Sequence, residues 1–121
     1  MSYLIVTNNP KVNETFDNVL FTEETYENVL VRTRNLVHEG FELISHPLAA
    51  SIRMLFSPYC SVIIGQKNSG INPFHVETIE NSIIKYRRLT EQRNIDNINS
   101  EDYALIDIKL LENALNLFRS T

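Results

Sequence analysis

Short apolar runs that stop at a polar turn followed by proline recur along the chain. The runs are residues 3–6, 41–44 and 62–64, and the prolines after them are Pro10, Pro47 and Pro73. A continuous apolar run is typical of a strand buried on both faces, and proline suits the first position of a helix. In an open parallel sheet such turns all lie at the carboxyl edge, where helix N-termini favour anions. The pattern therefore predicts a ligand site at that edge.

Hydrophobic periodicity predicts an alternation of strands and helices. We expect strands at residues 3–7, 19–21, 41–45 and 61–65, and helices at 10–16, at 22–39, from residue 73 and from residue 100. This alternation indicates right-handed crossovers between parallel strands. The fold class is thus α/β: a small three-layer domain over residues 1–121, with a mainly parallel four-stranded sheet flanked by helices.

Capping residues mark where the helices begin and end. Asn9 and Asn72 each precede a proline and are expected N-caps. Thr22 and Ser100 are each followed by two acidic residues, which predicts that each caps a helix with an acidic first turn. Gly40 is expected to end the helix over 22–39 in a left-handed conformation.

Two segments fit more than one structure. Residues 47–57 suit either a short helix or an ordered loop, and residues 103–108 suit a helix or a strand. The last predicted helix is apolar on more than one face: one carries Tyr103, Ile106 and Leu110, and another carries Leu105, Ile108, Leu115 and Phe118. Such a helix either crosses the core or forms a subunit interface, so a homodimer is expected.

Composition narrows the classes of protein that the chain could belong to. A hydrophobic content of 43% and a charged content of 21% are ordinary for one globular domain of 121 residues. The net charge of -4 argues against a sequence-independent nucleic-acid binder, which needs a basic face. No apolar run approaches the ~20 residues that a membrane helix requires. We therefore expect neither nucleic acid nor membrane as a partner.

Cysteine, histidine and glycine usage excludes several kinds of site. The single Cys60 cannot form an intramolecular disulfide, and with no signal-like N-terminus a cytoplasmic location is expected. Cys60 itself is expected to be a small buried hydrophobe rather than a nucleophile. His38, His46 and His75 are scattered singly, so no metal site is expected. The 3 glycines form neither a dinucleotide-binding nor a Walker A pattern, and no cofactor is expected.

Polar residues after the first and third strands are the candidate ligand-binding residues. The amides of Asn8 and Asn9 suit a carboxylate, a phosphate or a carbonyl oxygen, but they equally suit a turn and a helix cap. His46 suits an acid, a base or an anion donor, or alternatively a bond to local backbone. Ser51 and Arg53 follow, and the arginine fork matches carboxylate or phosphate geometry. These five residues would form an anion site, and no catalytic residue is assigned.

Several of these segments together resemble the GrdX family. The resemblance lies in residues 4–12, with Thr-Asn-Asn-Pro, in residues 40–48, with His-Pro-Leu, in Ser51, and in residues 57–64. It covers most of the chain. The chain departs from the family pattern at Ala50 and at residues 53–54, where we expect a glycine and a lysine-proline pair.

The resemblance implies a small cytoplasmic protein encoded beside the glycine, sarcosine or betaine reductase components of anaerobic amino-acid fermentation. It brings no assigned activity and names no catalytic residue. The leading hypothesis is an accessory protein that binds a small anionic metabolite or a reductase subunit at the sheet edge. The alternative is a small enzyme that uses His46 as general acid/base on an acyl or phosphoryl compound.

Overall fold

The computed structural model describes residues 2–91 and 93–120. In chain order the elements are β1 (Leu4–Thr7), α1 (Pro10–Thr15), β2 (Val19–Phe21), α2 (Tyr26–His38), β3 (Phe41–Leu43), a 3-10 helix (Ile52–Phe56), β4 (Ser61–Lys67), α3 (Pro73–Thr90) and α4 (Ser100–Arg119). The described residues therefore contain every strand that the apolar runs predict.

The four strands form one mixed sheet in the order β2-β1-β4-β3. Only β1 and β2 are parallel, because β4 runs antiparallel to both β1 and β3. The prediction of a mainly parallel sheet is therefore wrong. A parallel pair needs a crossover, usually a helix, whereas the segment between β3 and β4 forms only a 3-10 helix of 5 residues. The chain folds back there, and β4 pairs with the strand it has just left.

This strand direction decides which turns share an edge. β1, β2 and β3 all point the same way, so their carboxyl ends meet the start of β4 at one edge, called here the carboxyl edge. The turns before Pro10 and Pro47 lie there, as predicted. The turn before Pro73 follows the end of β4 and lies at the opposite edge, so the prediction that all three turns share an edge is wrong for this one.

Helices cover both faces of the sheet, which confirms the predicted arrangement of a four-stranded sheet flanked by helices. On one face, α2 and α3 pack on the β1 and β4 side chains of Val6, Val62 and Ile64. On the other face, α1 and α4 pack on Ile5 and Ile63 of the same two strands. The central strands are therefore buried on both sides, as their continuous apolar runs predict.

The predicted start of α2 is wrong by one turn. The cap is Thr25, whose hydroxyl accepts a hydrogen bond from the backbone N–H of Asn28 at 3.2 Å. Thr22 instead continues the strand, since its N–H donates to the carbonyl of Thr7 at 3.0 Å, which extends the β1–β2 pairing. Gly40, with φ of 108°, ends the helix in the predicted left-handed region.

The later helix starts are close to their predictions. Asn72 caps α3 as predicted, since its side-chain oxygen accepts from the backbone N–H groups of Phe74 and His75. Ser100, predicted as a cap, is the first residue of α4, and Asn99 is the cap. Residues 47–57, which suited either a short helix or an ordered loop, form a loop and a 3-10 helix. Residues 103–108, which suited either a helix or a strand, are helical.

The two predicted apolar faces of α4 are regrouped in the structure. The buried face joins residues from both, with an acidic side chain among them: Tyr103, Ala104, Asp107, Leu111 and Leu115. Leu105, Ile106 and Leu110 are about half exposed. The helix therefore packs on the sheet through one stripe with a spacing of four residues, and the homodimer stays a prediction. No helix in the described part of the chain is long and apolar enough to cross a membrane.

Candidate functional site

Asn8 joins three segments at the carboxyl edge. Its side-chain N–H groups donate to the carbonyls of Glu24 and Pro58 at 2.9 and 2.8 Å, and its oxygen accepts from the N–H of Cys60 at 2.8 Å. The residue is 4% exposed. Both amide N–H groups are thus used inside the protein, and Asn8 fixes the end of β1 against the starts of α2 and β4. Its role in ligand binding stays a prediction.

Asn9 is fully buried and serves as the cap of α1. Its side-chain oxygen accepts from the N–H of Lys11 at 3.0 Å. Its amide nitrogen donates to the carbonyl of Ala104 at 2.9 Å and to Oδ2 of Asp107 at 3.0 Å. The capping interpretation of Asn9 is therefore observed, and the same side chain also holds α4 onto the end of β1. A direct contact with a ligand stays a prediction.

Asp107 is a buried acidic residue at this edge, and it is not among the predicted site residues. Oδ2 of Asp107 accepts from the Ser61 hydroxyl at 2.7 Å as well as from Asn9. The Ser61 and Thr7 hydroxyls are also 2.7 Å apart; since Ser61 gives its proton to Asp107, Thr7 donates to Ser61. Burial raises the pKa of Asp107 above its usual range, although the bonds from Asn9 and Ser61 oppose this.

The remaining predicted site residues lie further along the same edge. His46 follows β3 and is exposed, with Nδ1 at 3.1 Å from both the N–H and the carbonyl of Leu48. His46 therefore makes the contact with local backbone that was one of the two alternatives predicted for it. Ser51 and Arg53 are exposed at the 3-10 helix, and Ser51 makes no capping bond there. The structure thus brings Asn8 and Asn9 together, places His46 on the neighbouring loop, and leaves Ser51 and Arg53 on the surface.

Cys60 lies under this loop and is buried, as predicted. Burial raises the pKa of its thiol well above the usual range, and nearby Asp107 raises it further. Tyr26 lies beside it, stacked on Tyr86 with ring centroids 4.6 Å apart, and burial raises the pKa of both phenols. These three groups are neutral at physiological pH, so the thiol is a poor nucleophile.

Three cavities open around the carboxyl edge. The largest, called here the acidic cleft, has a volume of about 1040 Å³ and lies between α1, the start of α2 and the end of α3. Its charged lining residues are four glutamates and one arginine: Glu14, Glu23, Glu24, Glu27 and Arg93. Aromatic rings also line it: Phe21, Tyr26, Tyr59 and Tyr86. A cleft of this composition suits a cation.

The other two cavities flank the loop that carries His46. One, called here the Asp107 cavity, has a volume of about 200 Å³ and lies between this loop and α4. The other, of about 400 Å³, lies between the loop and α3 and is lined by His46 and Lys85. Neither Ser51 nor Arg53 lines any of the three. Among the described residues, no group of three or more His, Cys, Asp and Glu side chains could hold a metal ion.

Comparison with known proteins gives one match. The family model described as GrdX-like protein matches residues 4–116, which is nearly the whole chain. The matched range includes the carboxyl edge, all three cavities and Asp107. No curated protein and no solved structure is significantly similar to the chain.

Proposed function

Since the chain belongs to the GrdX-like protein family, we propose that it is a non-catalytic accessory protein of a glycine reductase-type system. It acts by binding a subunit of the reductase. The binding surface is the acidic cleft, and the ligand is a basic segment of that subunit. The observation that carries this proposal is the charge of the cleft, four glutamates against one arginine around about 1040 Å³.

The free charges of the cleft support a protein partner with lysine or arginine side chains. Glu27 is paired with Arg87 at 3.3 Å, and Arg93 lies over the Phe56 ring at 4.1 Å from its centroid. Glu14 and Glu23 are exposed and form no ion pair within residues 2–91 and 93–120. Unpaired exposed charges of one sign steer an oppositely charged partner towards the cleft.

The size and lining of the cleft also favour a peptide segment over a small metabolite. Pockets for small ligands span roughly 300–1,000 Å³ and enclose most of the ligand, whereas this cleft is at the upper limit and open. Tyrosine and phenylalanine faces attract guanidinium and ammonium groups, by about 0.5–1 kcal/mol at exposed sites. A basic segment would therefore contact both the glutamates and the aromatic side chains that line the cleft.

Binding to the purified reductase subunits tests the proposal. The wild-type chain is immobilised, and association with each subunit is followed by biolayer interferometry at several salt concentrations. The double variant Glu14→Gln, Glu23→Gln should weaken binding by about tenfold, mainly through a slower association rate. The matched control Glu77→Gln, Glu112→Gln removes two exposed charges outside the cleft and should bind as wild type does. No binding to any subunit, or equal loss in both variants, would refute the proposal.

A small anionic metabolite is the second candidate ligand, and one observation favours it. The cavity of about 400 Å³ beside the loop is lined by His46 and Lys85, which can both be cationic. Thermal melting with phosphate and acetyl phosphate tests this candidate: saturating ligand should raise the Tm by several degrees, and His46→Ala should abolish the rise.

The alternative function, a small enzyme, would use His46 as its general acid/base. It requires a turnover that His46→Ala lowers by roughly a hundredfold or more. Within the described residues, no hydrogen bond joins His46 to the hydroxyl of Ser45, the thiol of Cys60 or the carboxyl of Asp107. The geometry therefore favours the accessory role.

A further inference from the structure

The Asp107 cavity holds a buried acid that has no positively charged partner. Asp107 is 7% exposed, and its hydrogen bonds come from neutral groups: the side chains of Asn9 and Ser61 and the Ser61 backbone. No ion pair to Asp107 occurs in the described part of the chain. A buried carboxylate is costly without an opposite charge, and proteins normally supply one. Here that charge is missing while a cavity lies next to the carboxyl group.

The lining of the cavity suits an organic cation of small size. At ~30 Å³ for each water-sized group, its volume of about 200 Å³ holds about seven non-hydrogen atoms. Apolar side chains also line the cavity, among them Leu48, Met54 and Ala114. His46 is the one lining side chain that can become cationic, and it lies on the exposed loop. A compact ligand with an ammonium head and a short apolar or polar tail would fit both the carboxyl group of Asp107 and the apolar side chains of the cavity.

We propose that this cavity is a second binding site, which takes a compact primary ammonium compound and holds its charged head against Asp107. Asn9 and Ser61 orient the carboxylate, since both donate to Oδ2. The hydroxyl of Thr7 in turn orients Ser61. This site lies on the α4 side of the edge and does not depend on the reductase partner or on the acidic cleft.

The binding of ethylammonium to the full-length protein tests the proposal. Ethanol and propionate are the comparison probes, because both carry the same ethyl group, one with no charge and the other with the opposite charge. Chemical-shift changes in ¹H–¹⁵N spectra report both the affinity and the place of binding. Ethylammonium should bind with a Kd in the millimolar range, the ceiling for a ligand of about three non-hydrogen atoms. The largest shifts should fall in the 45–50 loop and around Asp107, and neither comparison probe should bind as tightly.

Three variants locate the site. Asp107→Asn keeps the size and the hydrogen-bond acceptor but removes the charge, and it should weaken ethylammonium binding at least tenfold. Leu110→Trp leaves Asp107 intact and fills the cavity from the α4 side, where Leu110 is 46% exposed, so binding should again be lost. The matched control Leu117→Trp enlarges a residue that is 71% exposed on the same helix and does not line the cavity. That variant should bind as wild type does.

The competing results are distinguishable. Saturable binding of ethylammonium that both Asp107→Asn and Leu110→Trp abolish supports the site. The proposal is overturned if no saturable binding occurs up to 100-fold above the expected millimolar Kd range, or if ethanol or propionate binds equally well. Loss of binding in Leu117→Trp would also overturn it, because the contact would then lie outside the cavity.

Discussion

Replacing Asn9 by alanine should destabilise the protein strongly, because one side chain caps α1 and holds α4. The variant removes the bond to the N–H of Lys11, a helix cap that is typically worth about 1 kcal/mol. It also removes the donor to Asp107 and to the carbonyl of Ala104. Losing the bonds to this buried carboxyl and carbonyl costs about 1–3 kcal/mol in total, although Asp107 keeps its bond from the Ser61 hydroxyl. We therefore expect the free energy of unfolding to fall by about 2–4 kcal/mol.

Urea denaturation followed by circular dichroism measures this loss. With a slope of about 1–3 kcal/mol per molar urea, the midpoint should fall by roughly 1–2 M. The control is Asn13→Ala, an exposed asparagine on the same helix, which should change the unfolding free energy by less than about 0.5 kcal/mol. A double-mutant cycle with Asp107→Ala, which removes the acceptor of the Asn9 bond, should give a coupling energy of about 0.5–3 kcal/mol between the two bonded residues.

The structural role of Asn9 would be refuted by a small and additive effect. If Asn9→Ala lowers the unfolding free energy by less than about 1 kcal/mol and the cycle shows no coupling, the bonds to Ala104 and Asp107 contribute nothing measurable. The ligand-binding interpretation of Asn9 would then regain weight. If instead the unfolding free energy falls by more than this, Asn9→Ala disrupts the carboxyl edge itself. A variant that fails to bind a ligand for that reason says nothing about a direct contact, so Asn9 variants are unsuitable for testing ligand binding.

Three further outcomes follow from burial and backbone geometry. Because burial raises the folded-state pKa of Asp107, this group favours folding at pH below its unfolded value and loses that contribution as pH rises through the folded value; Asp107→Asn should therefore be more stable than wild type at pH 7, with the difference vanishing near pH 4 in urea titrations. Gly40→Ala should cost about 2–4 kcal/mol in the same assay, since φ is 108° and a Cβ would lie 2.6 Å from the Asn68 carbonyl oxygen. The thiol of Cys60 should react with iodoacetamide at a rate that follows global unfolding, and fast reaction in the native protein would contradict its burial.

The apolar runs predicted the strands because a strand buried on both faces leaves a clear local pattern. They did not predict direction, since an apolar run has the same pattern whichever way it points. The direction of β4 depends on the connection before it, residues 44–60, and within this connection the pattern of residues 47–57 fitted either a short helix or an ordered loop. The mainly parallel sheet was inferred from alternation alone, and that inference fails where a connection contains no crossover helix.

The candidate site was predictable in position but not in chemistry. Asn8 and Asn9 were recognisable as polar residues at a strand-to-helix turn. Their partners at Glu24, Cys60 and Asp107 are 16 to 98 residues away in the chain, so no local pattern reveals them. Asp107 did leave a signal: it interrupts an apolar stripe with a spacing of four residues that runs from Tyr103 through residues 111 and 115. An acid at such a position is a candidate for a buried functional group.

The internal bonds of the two asparagines change which ligand class the carboxyl edge favours. An anion site at Asn8 and Asn9 needs free N–H donors, and both amides already donate twice within the protein. Most of the charged groups that line the acidic cleft and the Asp107 cavity are carboxyl groups, the four glutamates and Asp107, and these attract positive charge. The charges of the acidic cleft and of the Asp107 cavity thus favour cations, whereas His46 and Lys85 make the third cavity the more favourable one for an anion. Because the Asp107 cavity and the cavity beside His46 and Lys85 share the 46–50 loop, a ligand in one should alter the affinity of the other.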